Sequence, residues 1–144
     1  MPIKSKFFPK NPTKYIGDPN KIICRSSWER RFCIFLDKTE SVKRWSFETL
    51  KIPYLSPKDN DIHIYYPDFI VEKRGFDGKT KTLVIEIKPH KQTKEPKKRR
   101  STRSMIQESM AYSINTAKWE AARKFCAKHD WEFVLLTEKD GLFI

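Results

Sequence analysis

Hydrophobic positions follow two rhythms along this chain, and each change of rhythm marks an element. From Ser26 the run SSWERRFCIFLDK places apolar residues at Trp28, Phe32, Cys33, Phe35 and Leu36. That is the three- and four-residue spacing of one helix face, with a serine available as N-cap, and it predicts a helix over about 27–37. The next stretches, RWSFETLKIPYL and IHIYYPDFIVEKR, are dense in aromatic and β-branched residues and flank the polar loop SPKDND, so each reads as a strand. TKTLVIEIK follows the turn-forming GFDGK and pairs with its predecessor as a hairpin. A helical pattern resumes near Met105 and runs through Trp119, Ala122, Phe125 and Cys126 to about His129, with Asn115 and Thr116 as positions at which it could restart. WEFVLLT closes the series as a strand. The order α-β-β-β-α-β, without repeats, predicts an α/β domain: a central mixed sheet of about four or five strands with helices on both sides.

Two segments lack either rhythm. Residues 1–22 carry four Pro, five Lys and one Gly and are expected to form an extended N-terminal arm before a single domain over 23–144. After Pro89 the run HKQTKEPKKRRSTRS has almost nothing to bury, which makes about 90–104 a loop. Lys91, Lys94, Lys97, Lys98, Arg99, Arg100 and Arg103 oppose Glu95 alone there, so this loop supplies half of the net charge of +12. A pI near 9.7 is the electrostatic excess of a protein that meets a polyanion, and nucleic acid becomes the first partner to consider. The basic run reads either as a solvated loop or as a grip on phosphates that is indifferent to base sequence. No apolar run approaches a membrane span and MPIKSKFFPKNP lacks a secretory core, so a cytoplasmic protein without a membrane partner is expected.

Several chemistries recede on inspection. Cys24, Cys33 and Cys126 have no C-x-x-C spacing and read as reduced packing residues. His63, His90 and His129 lie far apart and form no recognisable triad with a serine and an acid. The tryptophans all fall on predicted helices or strands, where core packing is their expected role. Asp59-Asn60-Asp61 lacks the glycine and distal glutamate of a calcium loop and reads as turn chemistry.

The central strands are different. Alternation puts Ile64, Tyr66, Asp68 and Ile70 on one side of the second strand, with Asp68 among apolar neighbours, and Val84, Glu86 and Lys88 on one side of the third. A carboxylate within LVIEI is costly unless a cation compensates it. Lys88 in a salt bridge is one such cation, and a metal ion shared with Asp68 is another. Two carboxylates with a lysine beside them form the residue set that phosphodiester hydrolysis requires.

Pro67-Asp68 followed by Glu86-Ile87-Lys88 resembles the signature of the PD-(D/E)xK nucleases, and SSWERRF supplies the helix glutamate, Glu29, that their fold carries ahead of the sheet. The runs SSWE, YYPDFIV, VIEIKP and KWEAARKF to WEFVLLTE are most similar to the group that holds the TnsA-like transposition endonucleases and the phage head-completion nucleases. The resemblance covers about residues 25–137 and implies a restriction-endonuclease-like fold. It implies Mg²⁺-dependent cleavage of double-stranded DNA, with Mn²⁺ as a substitute and no small-molecule substrate. Asp68, Glu86 and Glu29 would hold the metal, the Ile87 carbonyl would assist, and Lys88 would orient water or stabilise the transition state. Action on packaged phage DNA follows from the same resemblance, with portal or neck proteins as partners and a place in the host cytoplasm or the virion. A recombination endonuclease and a non-catalytic DNA-binding or neck structural protein are the rival readings. Glu29 itself reads in two ways, as the third residue of a capping box begun by Ser26 and as a ligand projecting along the stripe of Phe32, Cys33 and Leu36.

Overall fold

The computed structural model describes residues 4–97 and 102–141. Its elements are β1 (Ser5–Phe7), β2 (Ile22–Cys24), α1 (Ser27–Lys38), β3 (Val42–Phe47), β4 (Ile52–Ser56), β5 (Asp61–Tyr65), β6 (Phe69–Arg74), β7 (Thr80–Ile87), α2 (Arg103–Lys128) and β8 (Glu132–Leu136). The central sheet has the order β3-β6-β7-β8, antiparallel except for the β7–β8 pair, which is parallel and is bridged by α2. This is the mixed sheet with a helix on each side that the α/β reading anticipates. β6 and β7 form the expected hairpin, and its turn carries Gly78 at φ 78°, a conformation that glycine adopts without strain.

Alternation along the strands divides the interior into two layers. Phe47, Phe69, Ile85 and Val134 face α1, where they join Phe32, Cys33 and Leu36 around the fully buried Trp45. Phe133 and Leu135 face the other way, toward Trp119 and Ala122 of α2 and toward Ile52, Tyr54 and Tyr65 of the separate β4–β5 hairpin. Residues before β2 are fastened to the C-terminal end of α1. The Lys10 and Asn11 amides donate to the buried Asp37 carboxylate at 2.8 and 2.9 Å, and the Lys14 ammonium donates to the Leu36, Asp37 and Thr39 carbonyls at 2.9, 3.0 and 2.8 Å. Those carbonyls have no partner within the helix, and a cation there also complements the helix dipole.

Three expectations need correction. RWSFETLKIPYL is two strands, β3 and β4, in different sheets, because the chain turns at Glu48, where φ is 56°. IHIYYPDFIVEKR is likewise β5 and β6, divided at Tyr66–Asp68. Pro67 has no N–H for a ladder and is fully buried at the break. The alternation drawn through Tyr66 and Asp68 therefore fails: Ile64 and Tyr66 are exposed, whereas Asp68 turns inward. Finally, α2 runs through Asn115 and Thr116 without a restart. The Ser113 and Thr116 hydroxyls bond back to the Ser109 and Tyr112 carbonyls at 3.0 and 2.8 Å, so these polar residues are accommodated inside the helix.

Candidate active site

Three chain segments meet at one end of the sheet, where β3 stops, β6 begins and β7 stops. Glu48 leaves β3 just as Asp68 enters β6, and the Glu48 N–H donates to the Asp68 carbonyl at 2.9 Å. The Ile87 N–H, at the end of β7, donates to Asp68 Oδ2 at 2.8 Å and sets the orientation of that carboxylate. Glu29 arrives from the first turn of α1. Its backbone N–H donates to the Ser26 hydroxyl at 3.2 Å, while its Oε1 accepts from the Arg25 N–H at 2.7 Å. The helix is thus capped by Ser26, but the glutamate carboxylate serves the residue before the cap.

Glu29, Glu48 and Asp68 each present an oxygen, and these oxygens lie within 4.8 Å of one another. Hard divalent ions, with ligand distances of about 2.1–2.6 Å, bridge such separations, and an all-carboxylate set suits Mg²⁺ or Mn²⁺ rather than zinc. Arg25 pairs with Glu48 at the mouth. Glu86 lines the same cleft beside this cluster. Its Oε1 accepts from the Tyr65 hydroxyl at 2.7 Å and from the Asp68 N–H at 3.3 Å, and its Oε2 lies 3.6 Å from the Lys88 ammonium. Lys118 of α2 completes the wall of a cleft of about 570 Å³.

Burial governs the electrostatics. It pushes the Asp68 carboxyl well above the ordinary range, with repulsion from Glu86 second, and the Ile87 N–H and Lys88 oppose this only in part. Glu86 is raised by burial against the pull of the Tyr65 hydroxyl and Lys88, and Glu29 is raised by burial against the Arg25 N–H. Each acid holds its charge reluctantly, which is the condition under which a cation binds strongly.

Of the residues read from sequence, Glu29, Asp68, Glu86 and Lys88 come together in this cleft. Lys91, Lys94 and Lys97 are exposed on the segment that follows, and Arg103 is exposed at the start of α2; none of the four lines the cleft. Lys98, Arg99 and Arg100 lie outside the described residues. The sequence reading missed Glu48, Arg25, Tyr65 and Lys118. Glu48 sits within what reads as an unbroken strand, without the Gly, Asn or Asp that would announce a left-handed turn, so nothing in the pattern marked it.

A sequence profile described as TnsA-like endonuclease N terminal matches residues 39–138, a span with Glu48, Asp68, Glu86, Lys88 and Lys118 inside it and Glu29 outside. A protein of Enterobacteria phage T4 described as "Head completion nuclease" is 37% identical over 147 residues, covering 99% of this chain and 95% of the relative. A restriction-endonuclease-like sheet, a carboxylate cleft at its end and both matches agree, and the chain belongs to the TnsA-like endonuclease family.

Proposed function

We propose that this nuclease hydrolyses phosphodiester bonds of double-stranded DNA with Mg²⁺, or Mn²⁺ in its place, held by Asp68, Glu29 and Glu48 with Glu86 alongside. The observation that carries the reading is the convergence of three carboxylate oxygens within 4.8 Å in a cleft that Lys88 also lines. A divalent ion bound there would acidify a water and neutralise phosphoryl oxygen charge. The protein supplies the rest. Asp68 is aimed by the Ile87 N–H, and Glu86 is held by Tyr65 so that its second oxygen faces Lys88. Lys88 is thereby positioned to orient the attacking water or to stabilise charge gathering on the phosphate.

Packaged phage DNA is the proposed substrate in the cell, cut or trimmed as heads are completed, with portal or neck proteins as partners and the host cytoplasm or the virion as the setting. The match across nearly the whole length of the phage T4 relative supports this role. The TnsA-like profile supports a second reading, cleavage during recombination beside a partner recombinase, through the same residues.

The deciding experiment incubates purified protein with linear and supercoiled DNA in Mg²⁺ and in EDTA. Cleavage should occur only with the metal. Asp68→Ala and Glu86→Ala should each abolish it while DNA binding persists, because removing an acid lessens repulsion of the phosphates. Wild-type rates in both variants would end the enzymatic reading of this cleft.

A further inference from the structure

We infer that Lys118 is a phosphate-binding residue of the cleft, holding the DNA backbone beside the bond that the carboxylates face. The inference rests on the nuclease reading and extends it to a residue of the same cleft contributed by α2.

Lys118 occupies a position where the fold calls for an apolar side chain. Along α2, Ile114, Ala117, Trp119, Ala121, Ala122 and Phe125 pack inward. Lys118 follows Ile114 by one helical turn and precedes Ala122 by another, within the same stripe. Its ammonium lies over the rings of Tyr54 and Tyr65, 5.8 and 5.7 Å from their centroids. Both tyrosines are buried, so the stem is clasped between the hairpin and the helix while the charge emerges into the cleft. A leucine or methionine would fill the same space without desolvating an ammonium ion. Burial and the neighbouring Lys88 both weaken the hold of Lys118 on its proton, with Glu86 opposing them.

No direct ion pair among the described residues offsets this cost. Among the described residues, Lys118 has no carboxylate within salt-bridge distance, whereas the Glu86 carboxylate is already engaged by Tyr65 and Lys88. Lys88 and Lys118 thus present two ammonium groups to the cleft that Glu29, Glu48 and Asp68 also line. A strand of DNA laid between the walls places anionic oxygens against the lysines, and the clasp of the two rings leaves little side-chain freedom to lose on binding.

The test measures binding of a duplex by fluorescence anisotropy over a range of salt, in an Asp68→Asn background that leaves the DNA intact. Lys118→Gln and Lys118→Met are compared with Lys128→Gln, which removes an exposed charge from the last turn of the same helix. Removing one lysine–phosphate pairing should lower the slope of log K against log salt by about 0.9, and weaken binding about fivefold near physiological salt. Both Lys118 variants should show this, and Lys128→Gln should change affinity by less than about twofold. The methionine variant retains an apolar stem between the rings, so it stays folded even where glutamine does not. Normal binding by Lys118→Met, or effects no larger than that of Lys128→Gln, would overturn the assignment and leave Lys118 a packing residue. Cleavage by the parent protein is assayed alongside. Failure of the parent to cut sinks the nuclease reading, while the binding comparison still reports on Lys118.

Discussion

Glu48 and Asp68 are joined backbone to backbone, the Glu48 N–H donating to the Asp68 carbonyl at 2.9 Å at the point where the chain leaves β3 and enters β6. That bond fixes the spacing of two acids that stand far apart in sequence. It also holds Glu48 at φ 56°, a left-handed conformation that costs a side chain with a Cβ about 1 kcal/mol.

Glycine is free of that cost, so substitution at this position separates backbone strain from chemistry. Glu48→Gly should be more stable than Glu48→Ala by about 1 kcal/mol, or roughly 2–4 °C in melting temperature. The missing pairing with Arg25 is common to both and cancels. Cleavage should fall at least about tenfold in both, with weaker Mn²⁺ binding by calorimetry. Equal melting temperatures would remove the strain, and normal metal binding would remove Glu48 from the site.

Asp68 provides a pH signature. Its carboxyl is raised in the fold, so the folded protein takes up a proton more readily than the unfolded chain between the ordinary carboxylate value and the raised one. The stability linked to this group is complete below the unfolded value and is lost as pH rises through the folded one. An asparagine in place of the acid does not titrate and still offers an oxygen to the Ile87 N–H. Without divalent ions, Asp68→Asn should therefore melt above wild type at pH 8, and the gap should close on acidification toward about pH 4. Mg²⁺ should raise the wild-type melting temperature at pH 8 and leave the variant nearly unmoved. A gap independent of pH would mean that Asp68 is not the destabilised acid.

Much of the scaffold was legible in the sequence because burial imposes a period. The stripe of Phe32, Cys33 and Leu36 marked α1, and the hairpin of β6 and β7 was marked by alternation on either side of a glycine turn. Glu86 and Asp68 were conspicuous as acids within apolar runs. What was not legible depends on tertiary pairing. Glu48 is driven left-handed by a bond to Asp68, a partner that no local pattern announces. The division of β5 from β6 at Pro67 sends Tyr65 toward α2 and brings its hydroxyl to Glu86, reversing the parity drawn through that stretch. Lys118 was hidden because a lysine on a helix is ordinarily a solvated one, and its place among apolar neighbours appears only when α2 lies over β4.

The basic segment separates binding from folding. Lys91, Lys94, Lys97 and Arg103 are exposed, so replacing the four with glutamine should leave the melting temperature within about 2 °C of wild type. DNA affinity should fall by a similar factor for unrelated duplex sequences, and the salt slope should fall by up to about 0.9 for each phosphate that the variant no longer neutralises. An unchanged slope would return the segment to a solvated loop.

Glu29 has two jobs that glutamine divides. Its Oε1 accepts the Arg25 N–H at 2.7 Å, and a glutamine amide oxygen does the same, so the start of α1 should persist in Glu29→Gln. Burial already disfavours the charge of Glu29, and removing that charge relieves repulsion from Glu48; the melting temperature in EDTA should therefore be equal to wild type or higher by a few degrees. The second job needs the charge. With an oxygen within 4.8 Å of its counterparts on Glu48 and Asp68, Glu29 contributes a negative ligand that an amide replaces poorly, and cleavage should drop by at least about tenfold. Melting and cleavage measured on one preparation distinguish the outcomes: a stable, inactive variant places Glu29 in the chemistry, full activity confines it to the start of the helix, and parallel loss of both makes it a support for α1 alone.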